Sequence, residues 1–227
     1  LTYVGIGFGF LTAGYLFPNY LSKEEIGVLN LLLKLALFFS FFSNLGFNTI
    51  TLKLFTFYRD HEKNHNGFFS LKIIVNVIGF VLFCLCYYFI KPYIIEQNIE
   101  KSKILIDYLY LLPPLVAIYM IFGMLDTYNR VLYNAVQGTF LRDFIQRLVI
   151  LFFFGFFLVG ILNFNGFINA YVFAMLVPIL GLLYFLGKRK ELKISFSAIK
   201  LNKVQKIEMI SVGTFGLIAG IAPILVS

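Results

Sequence analysis

Residues 145–193 read IQRLVILFFFGFFLVGILNFNGFINAYVFAMLVPILGLLYFLGKRKELK, and this stretch decides the fold. After Arg147 it is apolar to Leu162; Asn163 to Gly166 carry no charge; a second apolar run covers 167 to 187; then Lys188, Arg189, Lys190 and Lys193 arrive together. Each run approaches the ~20 residues that a helix, rising 1.5 Å per residue, needs to cross a ~30 Å hydrocarbon core. Helices are the expected form, because lipid offers backbone amides no partner and a helix satisfies its own.

The same pattern extends through the chain. Apolar runs occupy residues 1 to 18, 26 to 52, 68 to 90, 104 to 125, 145 to 162, 167 to 187 and 207 to 226. Hydrophobic residues make up 60% of the 227 and charged residues only 13%, more apolar surface than a water-soluble domain of this length can hide. With residue 1 near the cytoplasm and one crossing per run, thirteen Lys and Arg fall in cytoplasmic gaps: Lys53, Arg59, Lys63, Arg130, Arg142, Arg147 and seven between Lys188 and Lys206. Four, Lys23, Lys91, Lys101 and Lys103, fall in the opposite gaps, and Lys34 and Lys72 lie inside runs. This bias predicts a multi-pass protein with its N-terminus in the cytoplasm. It also accounts for the net charge of +8 without nucleic acid as a partner.

Residue 1 is Leu without a basic flank, no A-x-A-like cleavage site follows the first run, and the last run stops at Ser227, so the chain reads as the N-terminal portion of a longer protein. Cys84 and Cys86, about 200° apart on a helix, read as packing or lipid-facing residues. Gly5, Gly9 and Ala13, and later Gly216 and Gly220, have the spacing that lets helices approach closely in lipid. Pro113, Pro114, Pro178 and Pro223 are expected to kink or locally open their helices.

Two motifs invite an enzymatic reading. His61-Glu62-Lys63-Asn64-His65 is a literal H-E-x-x-H, which in zinc hydrolases puts two imidazoles on one helical face. Here it sits in a short charged gap with a turn signal at Asn66-Gly67 and no third His in the chain, so no metal site is expected. Gly181 to Arg189 resembles a phosphate loop but has five intervening residues instead of four and Arg189 where a hydroxyl is needed. No catalytic residue and no cofactor is expected.

Polar residues inside the runs are better candidates, because a Lys at the bilayer centre costs about 2.5–3.5 kcal/mol on insertion scales. Stepping 100° per residue brings Asn30, Lys34, Asn44, Asn48 and Thr51 within about 100°, a face that could line an aqueous cavity, although Leu37 and Phe41 share it. Lys72, Asn76 and Gly79 fall near one face of the third run. Lys34 and Lys72 could instead snorkel to their nearest interfaces. In the gap from Asp126 to Arg147, Phe140, Leu141 and Phe144 make an apolar edge beside Arg142 and Arg147, as in an interfacial helix. Bilayer anchoring is one reading; a basic mouth for an anionic head group is the other.

Several segments resemble, in order, the polysaccharide flippases of the multidrug/oligosaccharidyl-lipid/polysaccharide exporter superfamily. Phe17-Pro18-Asn19-Tyr20-Leu21-Ser22-Lys23-Glu24-Glu25-Ile26-Gly27 is similar to that family's Pro-x-x-Leu-Ser-x-Glu-x-x-Gly link. Leu45-Gly46-Phe47 through Lys53-Leu54-Phe55 resembles the end of its second helix, and Phe140 to Arg147 the Phe-Leu-Arg-acidic stretch entering its fifth. The chain departs from the pattern at Lys53, Thr56 and near Gly138, where the family often has Arg, Pro and Pro.

The resemblance implies an all-α, two-bundle transporter. Residues 1–187 would be the first six-helix transmembrane bundle, 188–206 a basic cytoplasmic linker, and 207–227 the start of the second bundle with its seventh helix. It implies a flippase that moves an undecaprenyl-pyrophosphate-linked oligosaccharide across the bacterial inner membrane for polysaccharide or lipopolysaccharide (O-antigen) biosynthesis. Its partners would be the bilayer, that substrate and other membrane proteins of glycan assembly. Lys34, Asn44, Asn48 and Asn76 are then the cavity candidates, and Lys53, Arg142 and Arg147 the cytoplasmic-mouth candidates. A drug or cation exporter of the superfamily would need a carboxylate within the membrane, and Asp107 and Asp126 read as lying only at run ends. A glycan ligase or polymerase would need a large outer loop, whereas the outer gaps are short.

Overall fold

The computed structural model describes residues 2–60, 62–98, 102–195 and 202–226. His61, Lys101 and Lys200 lie outside the described residues, as does the side chain of Pro223. Every regular element among the described residues is helical. The first run forms α1 (Thr2–Gly9), a π-helical stretch (Phe10–Leu16) and α2 (Phe17–Tyr20). The second divides into α3 (Lys23–Ser43) and α4 (Phe47–Tyr58), and the third is α5 (Phe68–Asn98). The fourth comprises α6 (Lys103–Tyr108), a 3-10 turn (Leu109–Leu111) and α7 (Leu112–Val131). Next, α8 (Ala135–Phe140), a π-helical stretch (Leu141–Ile145) and α9 (Gln146–Leu158) run on from one another. The chain continues with α10 (Phe164–Ala174), α11 (Val177–Lys188) and α12 (Lys203–Val226).

Four stretches, Lys23–Ser43, Asn64–Gln97, Lys103–Val131 and Phe164–Lys188, are long and apolar enough to cross a membrane. The protein is therefore an all-helical membrane protein, and length with hydropathy supports four of the expected crossings.

Local chemistry sets the boundaries. Ser22 Oγ accepts from the Glu25 amide and Glu25 returns the bond to the Ser22 amide, a reciprocal cap that starts α3. Pro113, Pro114 and Pro178 occupy the first turns of α7 and α11, where a missing N–H costs no helical bond. The fourth and sixth runs are thus each broken in two at their prolines. Between α3 and α4, Leu45 and Gly46 take positive φ, and Gly46 lies so close to the Gly213 carbonyl of α12 that a Cβ would collide. The spaced glycines are close approaches elsewhere too: Gly5 against the Asp143 backbone, Gly216 against Thr49 and Gly220 against Phe41.

The core joins α3, α5, α7, α10 and α11 through Leu32, Ala36, Phe68, Leu112, Val116, Phe167 and Leu182. At one end the Arg59 guanidinium stacks 4.3 Å over the Tyr133 ring, His65 Nε2 lies 3.1 Å from Glu191 Oε2, and the Ser195 amide donates to Ser70 Oγ at 2.7 Å. At the other, Tyr108 meets Phe164 with ring centroids 5.5 Å apart. The basic gaps read from the sequence therefore converge on one end of the bundle.

Two expectations are corrected. The gap assigned from Asp126 onward is helical, because α7 continues to Val131 and its turn from Met124 to Asn129 is buried. Asn129 Nδ2 secures the following turn by donating to the Asn134 carbonyl at 2.8 Å. Residues 140–147 form part of a packed helix instead of a surface one, with Leu141 against Gly181 and Phe144 between the Phe8 and Phe140 rings. The second half of the H-E-x-x-H motif is not an α-helix: Asn64, His65 and Asn66 all have positive φ. His65 is buried, accepting from the Asp60 amide at Nδ1.

Candidate substrate cleft

A cleft of about 180 Å³ opens beside the α3–α4 break. Leu37, Ser40, Phe41 and Asn44 form one wall with Asn48 of α4; Tyr119, Phe122, Gly123 and Asp126 of α7 form the other; Arg142 closes one side. The break positions the amides. Asn44 ends α3, and its Oδ1 accepts from the Asn48 amide at 2.7 Å, satisfying one of the donors that a helix start leaves open. Its Nδ2 donates to Asn76 Oδ1 at 2.9 Å, and Asn76 Nδ2 donates to the Lys72 carbonyl at 2.8 Å, so α5 supports the cleft from behind.

The charges are unevenly matched. Asp126 is 6% exposed, its Oδ2 lies 2.7 Å from the Arg130 guanidinium, and its Oδ1 has no hydrogen-bond partner. Lys72 is 0% exposed and its Nζ has no hydrogen-bond partner. Arg142 sits 5.7 Å from the Phe122 ring centre with its Nε 2.9 Å from Asp143 Oδ1. Each of the two carboxylates is thus paired with one arginine, and the Lys72 amine is buried behind them. Amides, a hydroxyl, aromatic rings and the partly exposed Arg142 guanidinium suit a hydroxyl-rich ligand with an anionic group.

The structure brings Asn44, Asn48 and Arg142 together at the cleft, with Asn76 in the layer behind. Lys34 and Asn30 lie exposed on the outer surface of α3, and Lys34 does not line the cleft. Asn44 precedes the positive-φ break, so the 100° stepping still reaches it, but Lys34 lies ten residues, about 15 Å, away along α3; only Asn48 and Thr51 lie beyond the break. Lys34 still shares an exposed stripe with Leu37 and Phe41, three and seven residues on, which leads from the cleft along α3. Thr51 is buried and bonds its own helix at the Phe47 carbonyl.

The mouth candidates do not converge. Lys53 is exposed, 5.4 Å from the Phe215 ring of α12. Arg147 turns into a separate pocket with Thr12 and Tyr171 and donates to the Gly5 carbonyl. Two residues were misread. Lys72 is sealed inside instead of snorkelling, as its shared face with Asn76 could have indicated. Asp126, placed at a run end, is a buried carboxylate on the cleft, hidden in the sequence because the polar string Asp126 to Arg130 looks like a loop.

Fold and site define a helical membrane protein with a polar, cation-bearing cleft between its helices. The chain belongs to the polysaccharide biosynthesis protein family, whose match covers residues 1–226, in line with the resemblance to polysaccharide flippases. No curated protein and no solved structure matches it.

Proposed function

We propose that this chain is the first bundle of a flippase that carries an undecaprenyl-pyrophosphate-linked oligosaccharide across the bacterial inner membrane. In this reading, residues 1–187 make six crossings with the N-terminus and basic end in the cytoplasm, 188–206 link the halves, and α12 opens the second bundle. The cleft carries the proposal: its amide and aromatic walls suit a glycan, and Arg142 suits the pyrophosphate. No bond is broken, so the protein is a transporter and not an enzyme. The lipid tail stays in the bilayer while the head group passes, and nucleic acid has no part.

A drug or cation exporter is the second reading, favoured by one observation, the buried Asp126. The Arg130 guanidinium, 2.7 Å from that carboxylate, already balances its charge, which weakens it as a site for a cation.

The test uses the full-length protein in a host lacking its own glycan flippase but supplying the matched lipid-linked substrate. Surface glycan is expected to return and cytoplasmic-leaflet lipid-linked units to clear; well-expressed protein that does neither overturns the proposal. Arg142→Gln and Asn44→Ala are each expected to slow clearance by about tenfold, the loss of a charged or buried hydrogen bond of ~1.4 kcal/mol. Lys34→Gln reports on the stripe separately, with reduced clearance expected if the substrate path extends along α3.

A further inference from the structure

A groove lies away from the cleft, where α12 meets the rest of the bundle. α12 approaches α4 at backbone distance, with Gly213 against Gly46 and Gly216 against Thr49, yet it leaves a gap of about 380 Å³ towards α5. Lys206, Met209, Ile210, Gly213, Thr214 and Leu217 line this gap; their spacing puts them on a single face of α12, which makes one wall. Leu71 and Val75, one turn apart on α5, make the other, and Phe47 of α4 also lines it.

The chemistry changes along the groove. Thr214 Oγ1 donates to the Ile210 carbonyl at 2.7 Å, so its hydroxyl hydrogen is used within α12 and the wall beyond Lys206 is apolar to a ligand. Among the described residues Lys206 is the only charged one lining the groove, and it stands at the end where α12 begins. That end is also the basic end of the bundle: Leu71 follows Ser70, whose Oγ accepts from the Ser195 amide. Between residues 206 and 217 the wall runs eleven residues, about 16 Å at 1.5 Å per residue, or roughly half of a ~30 Å hydrocarbon core. The acyl chains of one leaflet have that depth. The groove also opens sideways: Ile210 at its rim is 69% exposed, and Ile78 and Val81 lie exposed farther along α5, in a stretch fit to cross the membrane. A lipid chain can enter from the bilayer without meeting water.

We propose that this groove holds one acyl chain of a phospholipid with a singly anionic head group, whose phosphate lies against the Lys206 ammonium. An apolar slot capped by one cation matches such a lipid in both its parts. The chain packs along Val75, Ile210 and Leu217, while the lysine, a compact charge on a flexible stem, meets the phosphate at the interface. The groove and the cleft share no lining residue, so a head group at Lys206 lies apart from one at Arg142, and the site is independent of what the cleft carries. Once occupied, it fills the seam between α5 and α12 with lipid instead of side chains.

The test is photocrosslinking in the full-length protein, reconstituted in vesicles of phosphatidylcholine and phosphatidylglycerol. Two probes carry the same mid-chain diazirine, one on a phosphatidylglycerol and one on a phosphatidylcholine, and labelled peptides are mapped by mass spectrometry. Labelling of residues 71–75 and 209–217 is divided by that of the exposed Val81, Leu82 and Leu85 on α5, which report bulk lipid. The normalised signal is expected to favour the phosphatidylglycerol probe about fivefold, the weight of one lysine at an anionic lipid surface. Lys206→Gln is expected to bring the ratio near one and Lys206→Arg to keep it. Ile210→Trp, at an exposed position, is expected to fill the groove and remove labelling there by both probes while the reference labelling stays. Equal labelling by the two probes overturns the proposal, as does a groove that neither probe reaches because protein covers it. A preference unchanged in folded Lys206→Gln overturns it too. Displacement of the probe by undecaprenyl phosphate but not by unlabelled phosphatidylglycerol assigns the groove to an isoprenoid tail and removes the phospholipid.

Discussion

Gly138 and Gly155 look interchangeable in the sequence and are opposites in the fold. A Cβ on Gly138 would run into Asp126 Oδ1, while one on Gly155 meets nothing within 4 Å. Gly138→Ala is therefore expected to cost about 1–3 kcal/mol through overpacking. Gly155→Ala is expected to be neutral or to gain up to about 1 kcal/mol from helix propensity. Thermal unfolding of the purified full-length protein checks both. Asp60 makes a second prediction. The amides of Lys63 and Glu62 donate to its Oδ1 at 3.1 and 3.0 Å and, against a small burial cost, hold its carboxyl below the ordinary 3.8. A lowered pKa means that its contribution to the 60–67 turn is present above the ordinary value and fades as pH falls through the lowered one. Asp60→Ala is expected to speed amide exchange in that turn at neutral pH, and acidification to do the same only in the parent. At this scale the structure brings Asn44 and Asn48 to one cleft with Arg142, which the sequence grouped instead with Lys53 and Arg147, and leaves Lys34 outside it, because a helical wheel shows a shared face and not the distance along the helix.

The long helices were legible as apolar runs; their interruptions were less so. Prolines announced the breaks before α7 and α11, whereas the break at Leu45 and Gly46 is signalled by little more than an Asn-Leu-Gly triplet. The end of α7 was misjudged for a different reason: five polar or charged residues read as solvent-facing, yet tertiary packing covers all of them but Arg130. Two substitutions separate local from tertiary control of the second run. Ser22→Ala removes the start cap of α3 and is expected to cost about 1 kcal/mol, seen as faster exchange confined to the first turn. Gly46→Ala meets both a positive φ and the Gly213 carbonyl, so a loss above about 1 kcal/mol is expected, together with exchange in α12.

For the whole molecule, the alternating basic gaps were the strongest message in the sequence, and the structure gathers them at one end. The proposed orientation predicts that a Cys at Tyr133, 77% exposed at that end, reacts with an impermeant thiol reagent only from the cytoplasm. One at Ile161, 67% exposed at the other end, should react only from outside. Reversal of the two would invert the topology while leaving the fold intact.

The contact at the α3–α4 bend is made of main chain: Gly46 faces the Gly213 carbonyl with no side chain between them. If α12 leads the second bundle, as we propose, the two halves touch there through a smooth fulcrum. A small tilt there moves no side chain at the Gly46–Gly213 contact itself, while the lever arm on the near side ends at Asn44 and Asn48, so such a rotation would re-aim the amides that line the cleft.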